Sequence, residues 1–159
     1  MTLISLYDFA ENTRGRAVLG IDWGSKHTGI AVSDADQKIA AALVDCPTKP
    51  WKTLLYELER IIHDYKIGGI VIGWPIDMDG GFNKNCQSVK SLSENISKSV
   101  NINICLYDER LSSRAVAVYA PQKNTKKKVF SHSDKHAAAF FLQGALDLFS
   151  NIRARAEHP

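Results

Sequence analysis

Acidic residues stand at three places where an apolar run ends or a helix begins: Asp22, the pair Asp108-Glu109, and Asp134. Asp22 follows the run 17–21 and precedes a Gly-Ser-Lys-His-Thr-Gly turn. A carboxylate at the edge of an apolar sheet loses several kcal/mol of hydration unless a cation or hydrogen-bond donors replace the water. A metal ion would supply that compensation. Hard divalent cations such as Mg²⁺ take carboxylate oxygens and keep waters for a substrate phosphate, so three or four acidic oxygens around a phosphodiester form a hydrolytic site. Each acid also has an ordinary role when taken alone. Asp22 suits a turn, Asp108-Glu109-Arg110 a solvated salt-bridged turn, and Asp134 the start of a helix. Only convergence on one edge of a sheet makes them a site.

Hydrophobic periodicity supplies the elements that must bring them together. The run 17–21, the glycine-bounded turn and the run 29–33 predict a β-hairpin, and 37–44 adds a third strand to an antiparallel meander. Cys46-Pro47-Thr48-Lys49-Pro50 breaks the pattern. Leu54, Leu55, Leu58, Ile61 and Ile62 then recur at helical spacing within 51–65. A fully apolar strand is expected over 67–76, a polar loop at 77–81, a helix over 83–99 and a further strand over 102–107. A short helix at 111–119, a lysine-rich loop at 121–130 and a final helix at 133–149 complete the order. The result is an α/β fold, a mixed five-stranded sheet (antiparallel meander plus parallel strands) with helices on both faces. Residues 1–15 lack a clear period and read as an extension that docks or frays. Residues 16–150 read as one domain and 151–159 as a tail.

The chain of 159 residues carries a formal net charge of +3, which by itself says little about partners. Its distribution says more. Lys123, Lys126, Lys127 and Lys128 fall in one short stretch with Lys135 after them and Arg110 and Arg114 just upstream. Together with Lys26 on the hairpin turn, they are candidates for contact with nucleic acid, although a solvated lysine loop has the same composition. The three cysteines, Cys46, Cys86 and Cys105, lie far apart without a Cys-x-x-Cys pair and read as reduced cytoplasmic thiols. No run approaches the ~18 apolar residues of a membrane span. A soluble, cytoplasmic protein with no membrane partner is expected.

Four blocks carry a resemblance: Leu-Gly-Ile-Asp-Trp-Gly-Ser-Lys-His-Thr-Gly-Ile-Ala-Val-Ser-Asp, Ile-Val-Ile-Gly-Trp-Pro-Ile-Asp-Met-Asp-Gly, Asp-Glu-Arg-Leu-Ser-Ser, and Asp-Lys-His-Ala-Ala with Leu-Gln following. In this order, spanning about 17–148, they resemble the YqgF family, also called RuvX. The resemblance implies a ribonuclease H-like fold and a nuclease that processes the 5′ end of pre-16S ribosomal RNA, with Holliday junction resolution as the older alternative. It implies catalytic roles for Asp22, for Glu109 with Asp108 beside it, and for Asp134. Asp22, Glu109 and Asp134 would hold Mg²⁺ or Mn²⁺. Partners would be structured RNA (pre-16S rRNA) or branched DNA, met by a monomer or homodimer. The chain departs from the family pattern at Trp23, Ser25 and Ser133, while the acidic set is intact.

Several neighbours of these blocks have open roles. Gly24 and Gly29 suit either close backbone approach to a phosphate or plain hairpin geometry. Trp74 suits base stacking or a core position. His132 and His136 flank Asp134, where either suits a proton donor or the holding of a water. Two other classes of function compete. Asp-x-Gly-Ser/Thr is also the phosphate-binding hairpin of actin-like ATPases and sugar kinases, but those need two such domains with a cleft between them. A non-catalytic module holding ribosomal RNA through the basic loop is the other.

Overall fold

Alternation along the strands divides the core in two, and this division places every side chain near the site. The computed structural model describes residues 2–74, 84–108 and 135–157. The elements are β1 (Thr2–Leu3), α1 (Leu6–Asn12), β2 (Val18–Asp22), β3 (His27–Ser33), β4 (Ala40–Pro47), α2 (Trp51–Asp64), β5 (Gly69–Trp74), α3 (Lys84–Ser99), β6 (Asn103–Asp108) and α4 (Lys135–Glu157). They form one mixed sheet in the order β1-β6-β5-β2-β3-β4. β2, β3 and β4 are the antiparallel meander, while β2, β5 and β6 run parallel. The five strands expected from periodicity are all present, and the two-residue β1 extends the sheet beside β6.

Both faces are covered by helices. Leu19, Ile21, Ile30, Ile70, Ile72 and Ile104 pack with Leu54, Leu58 and Ile61 of α2 and Val89, Leu92 and Ile96 of α3. Val18, Ala31, Val71, Cys105 and Tyr107 face the other way, onto Phe9 of α1 and Phe141, Leu142 and Phe149 of α4. Strands with two apolar faces explain why β2 and β5 read as continuous apolar runs rather than alternating ones. Close approach is built in at two glycines. A Cβ at Gly20 would come 3.0 Å from the Leu142 side chain, and one at Gly69 would come 2.6 Å from the Phe9 ring.

The N-terminal stretch is docked. Ser5 caps α1 by accepting from the Asp8 amide at 3.1 Å, and Phe9 and Ala10 are fully buried. The helix is tied to the rest by Gln37, whose amide donates to the Thr13 and Arg16 carbonyls, each at 2.8 Å. Arg153 of α4 donates to the Ala10 carbonyl at 2.7 Å and to Gln37 Oε1 at 2.8 Å. These contacts also explain why α4 runs to Glu157, past the end at 149 that periodicity suggested: its last turns bind α1. The expected helix at 111–119 and basic loop at 121–130 lie outside the described residues.

Candidate active site

Asp22 closes β2, the strand lying between β5 and β3. Four buried residues precede it, and Asp22 itself is only 7% exposed. Leu19 and Ile21 point to the α2/α3 side, so alternation turns Asp22 to the side of α1 and α4. Its register partner on β3 is Gly29, which adds no side chain between Asp22 and β4.

A carboxylate that no sequence signal marked stands on the same line. Gly29 pairs in turn with Asp45 of β4. A β-bulge creates this alignment: Ile30 pairs with Val44 but Ala31 with Ala42, so Leu43 is the extra residue. Leu43 and Val44 both pack on the α2/α3 side, and Asp45 is thereby switched onto the face of Asp22. Two strand spacings of about 4.8 Å separate their backbones. Asp45 Oδ1 accepts the Lys135 amide of α4 at 2.6 Å. An acidic group there partners one of the helix's unbonded N–H groups and complements its dipole. The start of α4, directly after Asp134 in sequence, is thus pinned beside the Asp22 row.

Asp108 ends β6 opposite Trp74 of β5. Tyr107 packs toward α4, so alternation gives Asp108 the α2/α3 side, opposite to Asp22. Lys26 is exposed on the β2–β3 turn and His136 is exposed in the first turn of α4. Glu109, Asp134, Arg110, Arg114, Lys123, Lys126, Lys127, Lys128 and His132 lie outside the described residues, as does the side chain of Trp74.

The donor chemistry around Asp22 fits a hard divalent cation. A nearly buried carboxylate oxygen is the ligand type Mg²⁺ and Mn²⁺ take. The described thiols do not serve as soft ligands: Cys46 and Cys105 are buried and free, and burial pushes both thiols up. They remain protonated and inert. Among the described residues no three metal-binding side chains gather, so Asp22 is the described member of the expected set.

A mixed sheet with a leading antiparallel meander, helices on both faces and an acid closing the strand at the meander's parallel junction defines an α/β protein of the ribonuclease H-like class. Structures of Thermus thermophilus RuvC share the fold. One superposes with a TM-score of 0.55 at 14% identity, covering 89% of this chain and 96% of that one. Another, in complex with a Holliday junction substrate, gives 0.53 at 14% identity with the same coverage. The chain belongs to the RuvX family, described as Holliday junction resolvase, whose sequence profile matches residues 16–148. A Pelagibacter ubique protein named "Putative pre-16S rRNA nuclease" is 38% identical over 152 residues, covering 94% of this chain and all of that protein. A Ruegeria pomeroyi protein of the same name is 36% identical over 137 residues, covering 86% and 89%.

Proposed function

We propose that this chain is a divalent-metal-dependent nuclease that hydrolyses phosphodiester bonds at the 5′ end of pre-16S ribosomal RNA. The observation that carries the reading is Asp22. It is a carboxylate, only 7% exposed, that closes an apolar strand within the stretch from 16 to 148 matched by the RuvX profile. Relatives covering most of the chain carry the RNA-processing name, which favours RNA over branched DNA as substrate.

Asp22 would hold the cation, with Glu109, next to Asp108 in sequence, and Asp134 completing the set. When bound, Mg²⁺ or Mn²⁺ supplies Lewis-acid activation of the phosphate and lowers the pKa of a water. Asp22 contributes a fixed negative charge that needs no reorganisation during the reaction. Asp45 keeps the start of α4, the residue after Asp134 in sequence, against the same face. Lys26, Arg110, Arg114, Lys123, Lys126, Lys127 and Lys128 neutralise phosphates flanking the scissile bond. No described helix is long and apolar enough to cross a membrane, in keeping with a cytoplasmic place of action on ribosomal RNA.

Cleavage of a 5′-extended 16S precursor RNA and of a four-way DNA junction, in Mg²⁺ and in Mn²⁺, tests the proposal. Metal-dependent cleavage of the RNA, lost in Asp22→Asn, is expected. Equal cleavage by the variant removes Asp22 from the chemistry, and preferential cutting of the junction transfers the activity to branched DNA.

A further inference from the structure

Some described cations are in ion pairs, and several exposed ones, Lys38, Lys66, Lys90 and Lys98 among them, are in none among the described residues. Arg14 pairs with Glu11 and Glu157, and Arg60 with Glu57 and Asp64. Lys26, Lys49 and Lys52 are exposed and have neither an ion pair nor a side-chain hydrogen bond among the described residues. Lys26 lies on the β2–β3 turn, Lys49 in the segment joining β4 to α2 and Lys52 in the first turn of α2. The pairing of that joining segment with the turn brings them to one corner of the fold, beyond the end of β2.

Thr48, 1% exposed, builds that corner. Its amide donates to the Lys26 carbonyl at 2.9 Å. Its hydroxyl donates to the Gly24 carbonyl and accepts from the Thr28 hydroxyl, 2.8 Å away and fully buried. The turn after Asp22 and the segment joining β4 to α2 therefore form one rigid piece, with Lys26 on one side and Lys49 and Lys52 on the other. Acidic residues are missing on both arms: none occurs between Asp22 and Asp34, or between Asp45 and Glu57. Asp45 is engaged with the Lys135 amide. The start of α2, where no side chain caps the helix, adds positive partial charge to the same corner. Three like charges on adjoining segments, none of them in an ion pair among the described residues, repel one another, and a polyanion relieves that repulsion.

We infer that Lys26, Lys49 and Lys52 form a phosphate-backbone cradle that holds the nucleic-acid strand entering the site beside Asp22. The inference rests on the nuclease reading and adds to it a described surface, with Lys49 and Lys52 as contacts. The recognised chemistry is the sugar–phosphate backbone. Bases are not read here, so binding through this corner is sequence-tolerant and salt-dependent.

Binding is measured by fluorescence anisotropy in EDTA, where no cleavage occurs, as a function of salt, with the precursor RNA leader and the four-way DNA junction as probes. For Lys26→Gln/Lys49→Gln/Lys52→Gln, the slope of log K against log salt should fall by about 0.7 per lysine on single-stranded RNA and about 0.9 on duplex arms. Lys90→Gln/Lys98→Gln, removing two exposed charges from α3, should leave the slope unchanged. An unchanged slope in the triple variant, or an equal fall per charge in the α3 variant, overturns the cradle. The two readings separate cleanly. Slope loss in the triple variant without cleavage of either probe in Mg²⁺ keeps the cradle and sinks the nuclease. Cleavage lost in Asp22→Asn with an unchanged slope does the reverse.

Discussion

The two ends of the β2-β3-β4 meander treat charge in opposite ways. At the end near α1, polar groups turn inward and pair. Ser33 Oγ accepts the Val18 amide at 2.9 Å, Gln37 holds the Thr13 and Arg16 carbonyls, and Arg153 reaches Ala10 and Gln37. At the other end the backbone is clamped just as firmly by Thr28 and Thr48, yet Lys26, Lys49 and Lys52 are left facing solvent. The buried Ser33 and Gln37 at one end and Thr28 and Thr48 at the other are all hydrogen-bonded, as expected when an unmet buried polar group costs about 1–3 kcal/mol. The difference lies in the charges. Arg153 at one end ties the fold together, whereas Lys26, Lys49 and Lys52 at the other are available to a ligand.

The contrast can be broken most severely at Phe9. Its ring fills the space above Gly69 and touches Phe149, with ring centroids 5.3 Å apart, so Phe9→Ala should cost about 3–5 kcal/mol in chemical denaturation. A loss below about 1 kcal/mol would make α1 a dispensable appendage and the paired end merely decorative. At the opposite end, Asp22→Asn should lower cleavage by roughly 100-fold or more, the scale felt when one transition-state stabiliser is removed. Its melting temperature should hold. A parallel collapse of stability would move Asp22 from chemistry to folding.

Asp45 lies between these extremes, being exposed yet bonded to a helix start. Asp45→Ala should cost about 1 kcal/mol and speed hydrogen exchange at the Lys135 amide, while Asp45→Asn, which keeps an acceptor oxygen, should recover most of both. Equal exchange in all three proteins would show that α4 starts without help from β4.

The smallest effect is expected at Asp34, in the turn at the paired end. Its carboxylate accepts the Lys38 and Ile39 amides at 2.8 and 2.9 Å. These bonds, that from Ile39 first, hold its pKa below the ordinary aspartate value. A folded pKa below the unfolded one contributes stability that is complete above the unfolded value of about 3.9 and is lost as pH falls through the folded one. Acid titration of stability should therefore show a small extra loss below that pH in wild type that is absent in Asp34→Ala. The same loss in both proteins would assign the acid sensitivity to other carboxylates.

Much of this was legible in the residues. β2 and β5 are apolar on both faces, and α2 repeats at 3.6-residue spacing, so both kinds of element announce themselves locally. Asp22 was visible as an acid ending an apolar run, and the family blocks agreed with it. The N-terminal helix was not visible, because α1 is only seven residues long and too short to show a period. Its stability comes from Phe9, Ala10 and a hydrogen bond to Arg153, 143 positions away. The end of α4 past 149 does not show in the sequence either: Ile152, Ala154 and Ala156 alternate with polar residues, a pattern without helical period, and what keeps 151–157 helical is the partner they bind.

The sequence by itself therefore determined the order of elements, the two-sided sheet and the acid at the end of β2, since these depend on side-chain periods of two and 3.6 and on where those periods stop. The tertiary structure decided which side chains share a face and a corner. One bulged residue in β4 moves Asp45 from one face of the sheet to the other and onto an amide 90 positions away. One buried hydroxyl joins two turns 24 residues apart and gathers three lysines around it. Neither event changes composition or periodicity. Both depend on register, and register is set by how whole strands and helices fill the space between them.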